Sequence, residues 1–109
     1  MSARSERSRR EASPLKVTET EIRNDIRNFL RLHGWKVVRI VQSVLSEKGI
    51  PDLIAVRGGQ TVWIEVKRPT GKLSKEQEEF LEDLEDHGGW WIVARSVEDV
   101  EHLGGAAKC

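Results

Sequence analysis

The chain has 109 residues, 38% hydrophobic and 33% charged, with 18 basic and 18 acidic side chains. That is enough for one domain with a modest core. It holds no apolar run near the roughly 20 residues that cross a bilayer, and no apolar segment follows the basic N-terminus as in a secretory signal. Cys109 is the only cysteine, which excludes an internal disulfide and a zinc cluster and suits a reducing, cytoplasmic setting.

Residues 1–15 are rich in Ser, Arg and Glu and nearly free of large apolar side chains, so they read as a disordered arm. Arg4, Arg7, Arg9 and Arg10 could touch phosphates non-specifically. A solubilising tail explains them at least as well. The foldable part runs over residues 16–104, and residues 105–109 read as a frayed end.

Thr18 followed by Glu21 three residues later is a capping-box pattern. Ile22, Ile26, Phe29 and Leu30 then recur with helical spacing, and His33-Gly34 ends the helix. Residues 35–41 read as a strand, with Val38 and Ile40 on one face and Val37, Arg39 and Val41 on the other. Arg39 is a candidate phosphate contact, although an exposed strand charge explains it more simply. Residues 42–48 form a loop or short turn.

The most informative stretch comes next. Two runs rich in β-branched and aromatic residues, 49–56 and 61–68, flank Arg57-Gly58-Gly59-Gln60, a hairpin signal. Asp52 opens the first strand, and Glu65 and Lys67 lie inside the second. Alternation points Val62, Ile64 and Val66 one way and Trp63, Glu65 and Lys67 the other. A solvated face with a weak ion pair is the plain reading of Glu-x-Lys. Pro51 fixing the backbone before Asp52, and Trp63 sharing the charged face, argue against it. Two carboxylates and one ammonium on neighbouring strands suit a divalent cation and a phosphate: Asp52 and Glu65 offer hard oxygen ligands for Mg²⁺ or Mn²⁺. Lys67 can hold a phosphate oxygen or an activated water.

Residues 68–72 form a basic, glycine-bearing break straight after Lys67. Arg68 and Lys72 are therefore placed where a DNA backbone would approach, although an ordinary polar loop has the same composition. Ser74, with Gln77 three residues on, begins a second helix that ends near His87. Phe80, Leu81 and Leu84 form its apolar face, with Gln77 on the same stripe. Its other face, bearing Glu76, Glu78, Glu79, Glu82, Asp83, Glu85 and Asp86, would repel DNA and reads as the back of the molecule. Gly88-Gly89 ends this helix. Residues 90–94 then read as a strand buried on both faces, and residues 96–103 as a short helix capped by Ser96. His33, His87 and His102 sit at helix ends, where they cap carbonyls or face water. Gly58-Gly59 lies between strands, which is wrong for a phosphate-cradling loop, so no nucleotide cofactor is expected.

Pro51-Asp52, twelve residues, then Glu65-Val66-Lys67 resembles the PD-(D/E)xK motif of restriction-endonuclease-like nucleases. The longer match is more specific. It comprises Gly49-Ile50-Pro51-Asp52-Leu53, the run from Ile64 through Glu65, Lys67, Arg68, Gly71 and Lys72 to Ser74, then Gln77, Phe80, Leu81 and Gly88-Gly89. It resembles the VRR-NUC branch of that superfamily over residues 21–100. The resemblance implies a single α/β domain of restriction-endonuclease-like fold, with a central mixed sheet flanked by helices. It implies a metal-dependent DNA nuclease in which the Val66 carbonyl adds a ligand to Asp52 and Glu65, and Gln77 joins the catalytic set. It also places an acidic residue of the first helix at the metal site. Glu21 is the best match and Asp25 the rival, while Glu21 as a simple capping residue remains open. In this family the loop at 42–48 borders the site, so Lys48, Ser43 and Ser46 become candidate DNA contacts.

Stand-alone proteins of this type are similar to Holliday-junction resolvases, work as homodimers and occur in phages, which implies branched DNA as substrate and a phage or bacterial host cytoplasm. Apolar surface at Trp90 or Leu103 is where a dimer contact is expected. A flap or single-strand nuclease is the nearest alternative. A non-catalytic DNA-binding module, or an interaction protein using the acidic helix, would leave the strand charges unexplained.

Overall fold

Thr18 starts the first helix, α1 (Glu19–Leu32), through reciprocal bonds: its hydroxyl accepts the Glu21 N–H at 3.1 Å, and the Glu21 carboxylate accepts the Thr18 N–H at 3.0 Å. The structure, a computed structural model, describes residues 17–43 and 46–105; the arm expected at 1–15 and residues 106–109 lie outside the described residues. After α1 come β1 (Lys36–Arg39), β2 (Leu53–Arg57), β3 (Gln60–Val66), α2 (Lys75–Asp86), β4 (Trp91–Ala94) and a 3₁₀ helix (Val97–Gly104). The four strands lie side by side in chain order. β1–β2 and β2–β3 are antiparallel and β3–β4 is parallel, so the expected mixed sheet is present. The hairpin pairs Arg57 with Gln60 across Gly58 and Gly59. Both glycines hold positive φ, 60° and 80°, as the primed two-residue turns require.

The sheet has two different faces. Val37, Leu53, Ala55, Val62, Ile64 and Val66 join Ile22, Ile26 and Leu30 of α1 and Val100 and Leu103 of the 3₁₀ helix in one buried cluster. Burying each of the Val, Leu and Ile side chains contributes roughly 1.5–3 kcal/mol. The other face carries Trp63 and Glu65, and α2 packs over its β3–β4 side, with Phe80 against Trp63 at 5.8 Å between ring centroids. Helices therefore flank both sides of an α/β domain, as the sequence led us to expect. Trp35 ties the ends together. Its indole N–H donates to the Leu103 carbonyl at 2.9 Å, and Arg57 lies 4.8 Å over its ring while donating to the His33 carbonyl. Among the described residues no helix is long and apolar enough to cross a membrane.

Four expectations need correcting. β4 is not buried on both faces. Only Ala94 is buried, while Trp91, Ile92 and Val93 are half-buried, because β4 is a sheet edge. The last helix is 3₁₀ and Ser96 does not cap it; the Ser96 hydroxyl donates to the Glu98 carboxylate. Leu103 is buried and offers no free surface, whereas Trp90 is 37% exposed. Asp52 precedes β2 and Lys67 follows β3, although the Lys67 N–H still bonds the Ala94 carbonyl.

Gly49 fixes how closely the loop before Asp52 approaches α2. It has φ +78°, and a Cβ there would overlap the Glu76 carbonyl and crowd the Gln77 N–H. Gly49→Ala is expected to destabilise the fold by about 1–3 kcal/mol from backbone strain alone, with more from the overlap, read as a lowered Tm.

Candidate active site

Asp52 and Glu65 come from neighbouring strands, and their register decides the site. Leu53 pairs with Ile64, so the residues just beyond that pair, Asp52 and Glu65, meet at one end of the hairpin. The Asp52 Oδ2 accepts the Val66 N–H at 2.9 Å, and its Oδ1 lies 3.6 Å from Arg23 Nη2. Glu65 is only 3% exposed. Its Oε2 accepts the Gln77 side-chain amide at 3.1 Å and lies 3.8 Å from Lys67 Nζ. Gln77 is itself fixed, since its Oε1 accepts the Ser74 N–H at 2.8 Å and its own N–H donates to the Ser74 hydroxyl. The helix cap and the site thus share one side chain.

Burial is the main force on Glu65 and disfavours its charged form. The negative charge of Asp52 adds to this, Lys67 opposes it, and Glu19 and a hydrogen bond with Asp52 raise it further, so the Glu65 carboxyl is pushed up to about 8. Asp52, Glu65 and Gln77 open onto a cleft of about 390 Å³, shared with Gln42, Lys48, Gly49, Ile50, Ser74 and Glu76. Among the described residues no three His, Cys, Asp or Glu side chains make a metal cage. Mg²⁺ does not require one, because it keeps several waters and takes one or two carboxylates. Two carboxylates so close that one retains its proton form a donor set whose repulsion a divalent cation relieves. The residues fit such an ion.

The structure brings together Asp52, Glu65, Lys67 and Gln77, and Lys48 lines their cleft. Val66 meets Asp52 through its amide. Arg68 and Lys72 are exposed on the turn after Lys67. Arg39 is exposed at the end of β1, paired with Leu53 next to Asp52. Ser43 and Ser46 bond to each other, the Ser46 hydroxyl accepting from the Ser43 N–H and donating to its carbonyl. Glu21 is not brought to the cluster: it is exposed, and its carboxylate is engaged by Thr18. Asp25 is exposed beside a separate groove with Pro69 and Arg95. The first turn of the acidic helix is not at the back of the molecule, because Glu76 lines the cleft.

Two residues escaped the sequence reading. Glu19 is the acid of α1 whose charge reaches Glu65. Arg23, one turn further along, is 8% exposed, faces Asp52 and has a buried Nε without a hydrogen-bond partner. The available signal was an arginine adjoining Ile22 and three residues before Ile26, on the edge of the apolar stripe.

The VRR-NUC domain family model matches residues 5–98. The solved structure of a VRR_NUC domain superposes with TM-score 0.68 at 23% identity, covering 78% of this chain and 91% of that one. A second, a VRR_NUC domain protein, gives 0.66 at 21%, covering 84% and 93%. The Archaeoglobus fulgidus Hjc, a Holliday junction resolvase from an archaeal hyperthermophile, gives 0.53 at 26%, covering 69% and 65%. A comparison with curated proteins returns no match.

Burial pushes the Glu65 carboxyl from its ordinary value of 4.5 up to about 8 in the folded chain. Between those values the folded state binds more protons than the unfolded state, so stability falls as pH rises through that window. Thermal melts without divalent metal are expected to show Tm declining from about pH 5 to 8. Glu65→Gln, which cannot ionise, should remove that part of the decline.

Proposed function

The chain belongs to the VRR-NUC domain family, and we propose that it is a divalent-metal-dependent DNA endonuclease that hydrolyses phosphodiester bonds, selective for branched DNA of the four-way-junction kind. One observation carries the chemistry: a buried carboxylate, Glu65, held beside Asp52 and Lys67 at the wall of an open cleft. Burying a carboxylate is expensive, and a chain with no use for metal or phosphate gains nothing from the cost. This weighs against the non-catalytic DNA-binding module and against a role confined to the acidic helix.

In this reading Asp52 and Glu65, with the Val66 carbonyl, hold Mg²⁺ or Mn²⁺. Bound there, the ion lowers the pKa of a coordinated water and offsets charge on the phosphate. Lys67 orients the attacking water and faces the charge that develops on the phosphoryl oxygens. Gln77 keeps the Glu65 carboxylate turned toward the cleft. Arg23 and the Val66 amide hold Asp52 from two sides, and Glu19, in place of Glu21, is the α1 carboxylate whose charge acts on Glu65. Arg39, Lys48, Arg68 and Lys72 supply phosphate contacts around the cleft, which position the strand without reading its sequence.

Junction selectivity draws its support from the fold shared with the Archaeoglobus fulgidus Hjc, a Holliday junction resolvase. A symmetric homodimer would present two such sites for paired nicks. Val38 and Val56, exposed on the outer face of β1 and β2, and Trp90 give apolar surface for it.

Labelled four-way junction, 5′ flap, single-stranded and duplex DNA, each incubated with Mg²⁺ or Mn²⁺, test the proposal. Paired nicks on the junction, lost in Asp52→Ala, are the expected result. Cutting confined to flap or single-stranded DNA would discard the junction assignment, and folded protein that cuts nothing would discard the nuclease. Lys67→Ala is expected to keep its fold and DNA affinity while cleavage falls by at least roughly 10²-fold. Full activity in that variant would overturn the role given to Lys67.

A further inference from the structure

Arg95 lies just past β4, far from most cleft-lining residues in sequence, and one nitrogen of its guanidinium donates to main-chain carbonyls. Its Nη1 donates to the Arg68 carbonyl at 2.8 Å, to that of Gly71, and more weakly to that of Pro69 at 3.4 Å. These carbonyls belong to the turn that leaves β3 directly after Lys67. The turn has its own closing bond, Gly71 N–H to the Arg68 carbonyl at 2.9 Å. Its root is fastened where the Lys67 N–H meets the Ala94 carbonyl. Arg95 is anchored in turn, because its backbone N–H donates to Asp99 Oδ2 at 2.8 Å. A continuous line of bonds therefore runs from the 3₁₀ helix through Arg95 to the basic turn. The turn also lies against Lys67, since a methyl on Gly71 would sit 3.7 Å from Lys67 Cδ.

We propose that Arg95 is a positioning residue for substrate binding: it gathers the carbonyls of the 68–71 turn inward and so holds Arg68 and Lys72 in place for the DNA backbone. This rests on the nuclease reading above. A carbonyl oxygen facing a phosphate repels it, and a guanidinium that collects these oxygens turns their negative ends away from the approach. Both cations are exposed on this turn. A turn already fixed loses less freedom when DNA binds, so the benefit falls on affinity and not on the chemical step. All three bonds leave one nitrogen, Nη1, so a lysine ammonium at this place keeps some of them but loses the fixed plane of the guanidinium.

The test uses the full chain with Arg95→Ala and Arg95→Lys. Three readouts are taken: amide hydrogen exchange at Gly71, Kd for a labelled four-way junction without divalent metal, and kcat and KM with Mg²⁺. In Arg95→Ala, Gly71 exchange is expected to rise by about tenfold or more, Kd and KM to rise together by about three- to tenfold, and kcat to stay within about twofold. Arg95→Lys should fall between the two, and it decides alone should the alanine variant not fold. Unchanged exchange in a folded variant overturns the proposal. So does raised exchange with Kd and KM unmoved, or a loss confined to kcat. Wild-type protein that neither binds nor cuts DNA overturns the nuclease reading and the binding role with it, while Gly71 exchange still decides whether Arg95 holds the turn.

Discussion

Glu65 occupies a strand with neighbours on both sides and is almost wholly buried. Moving an ionised carboxylate into such a place costs several kcal/mol even after relaxation. Much of the surrounding architecture compensates. Gln77 gives it a donor, Lys67 a countercharge, and the proton it retains in the metal-free state removes what charge remains. The orientation of α2 follows, because the helix must present Gln77 to the sheet. The bare backbone of Gly49 follows as well, because only glycine lets the loop carrying Asp52 lie against that first turn.

The two capping boxes make an instructive pair. Thr18 with Glu21 and Ser74 with Gln77 use the same local pattern and both form. In the first, a carboxylate oxygen of Glu21 takes both the N–H and the hydroxyl of Thr18, and the residue stays at the surface. In the second, the amide of Gln77 has two chemically different ends. Its oxygen accepts from Ser74, and its NH₂ remains to hold Glu65. An acid at that third helical position would bring a further negative charge toward Glu65. The choice of amide over acid separates a cap that only starts a helix from one that also builds a site.

What could be read from the sequence was mostly local. The hairpin and its turn, both helix starts and the alternation that turns Glu65 away from Val62, Ile64 and Val66 depend on nearest neighbours along the chain and emerged as expected. The meeting of Asp52, Glu65 and Lys67 was legible in the hairpin, whereas Gln77 joined them only through the family resemblance. What escaped depends on how elements rotate and stack. Which residues of α1 act on the site is fixed by how the helix rolls on the sheet, which set Arg23 against Asp52, brought the charge of Glu19 to bear on Glu65 and left Glu21 to the cap. The half-burial of β4 reflects its place at the sheet edge, which a run of apolar residues does not disclose.

The acidic surface of α2 has a further consequence. It begins at Glu76 on one side of the cleft, while Lys67 and the exposed Arg68 and Lys72 follow β3. A polyanion at this cleft meets repulsion and attraction within a short distance, which favours one direction of entry over its reverse. Dissolved ions screen both effects together, since a Debye length at physiological ionic strength is only about 8 Å. Adding salt would relieve the repulsion as it weakens the attraction. Affinity for nucleic acid should therefore depend on ionic strength less steeply than a count of the basic side chains implies.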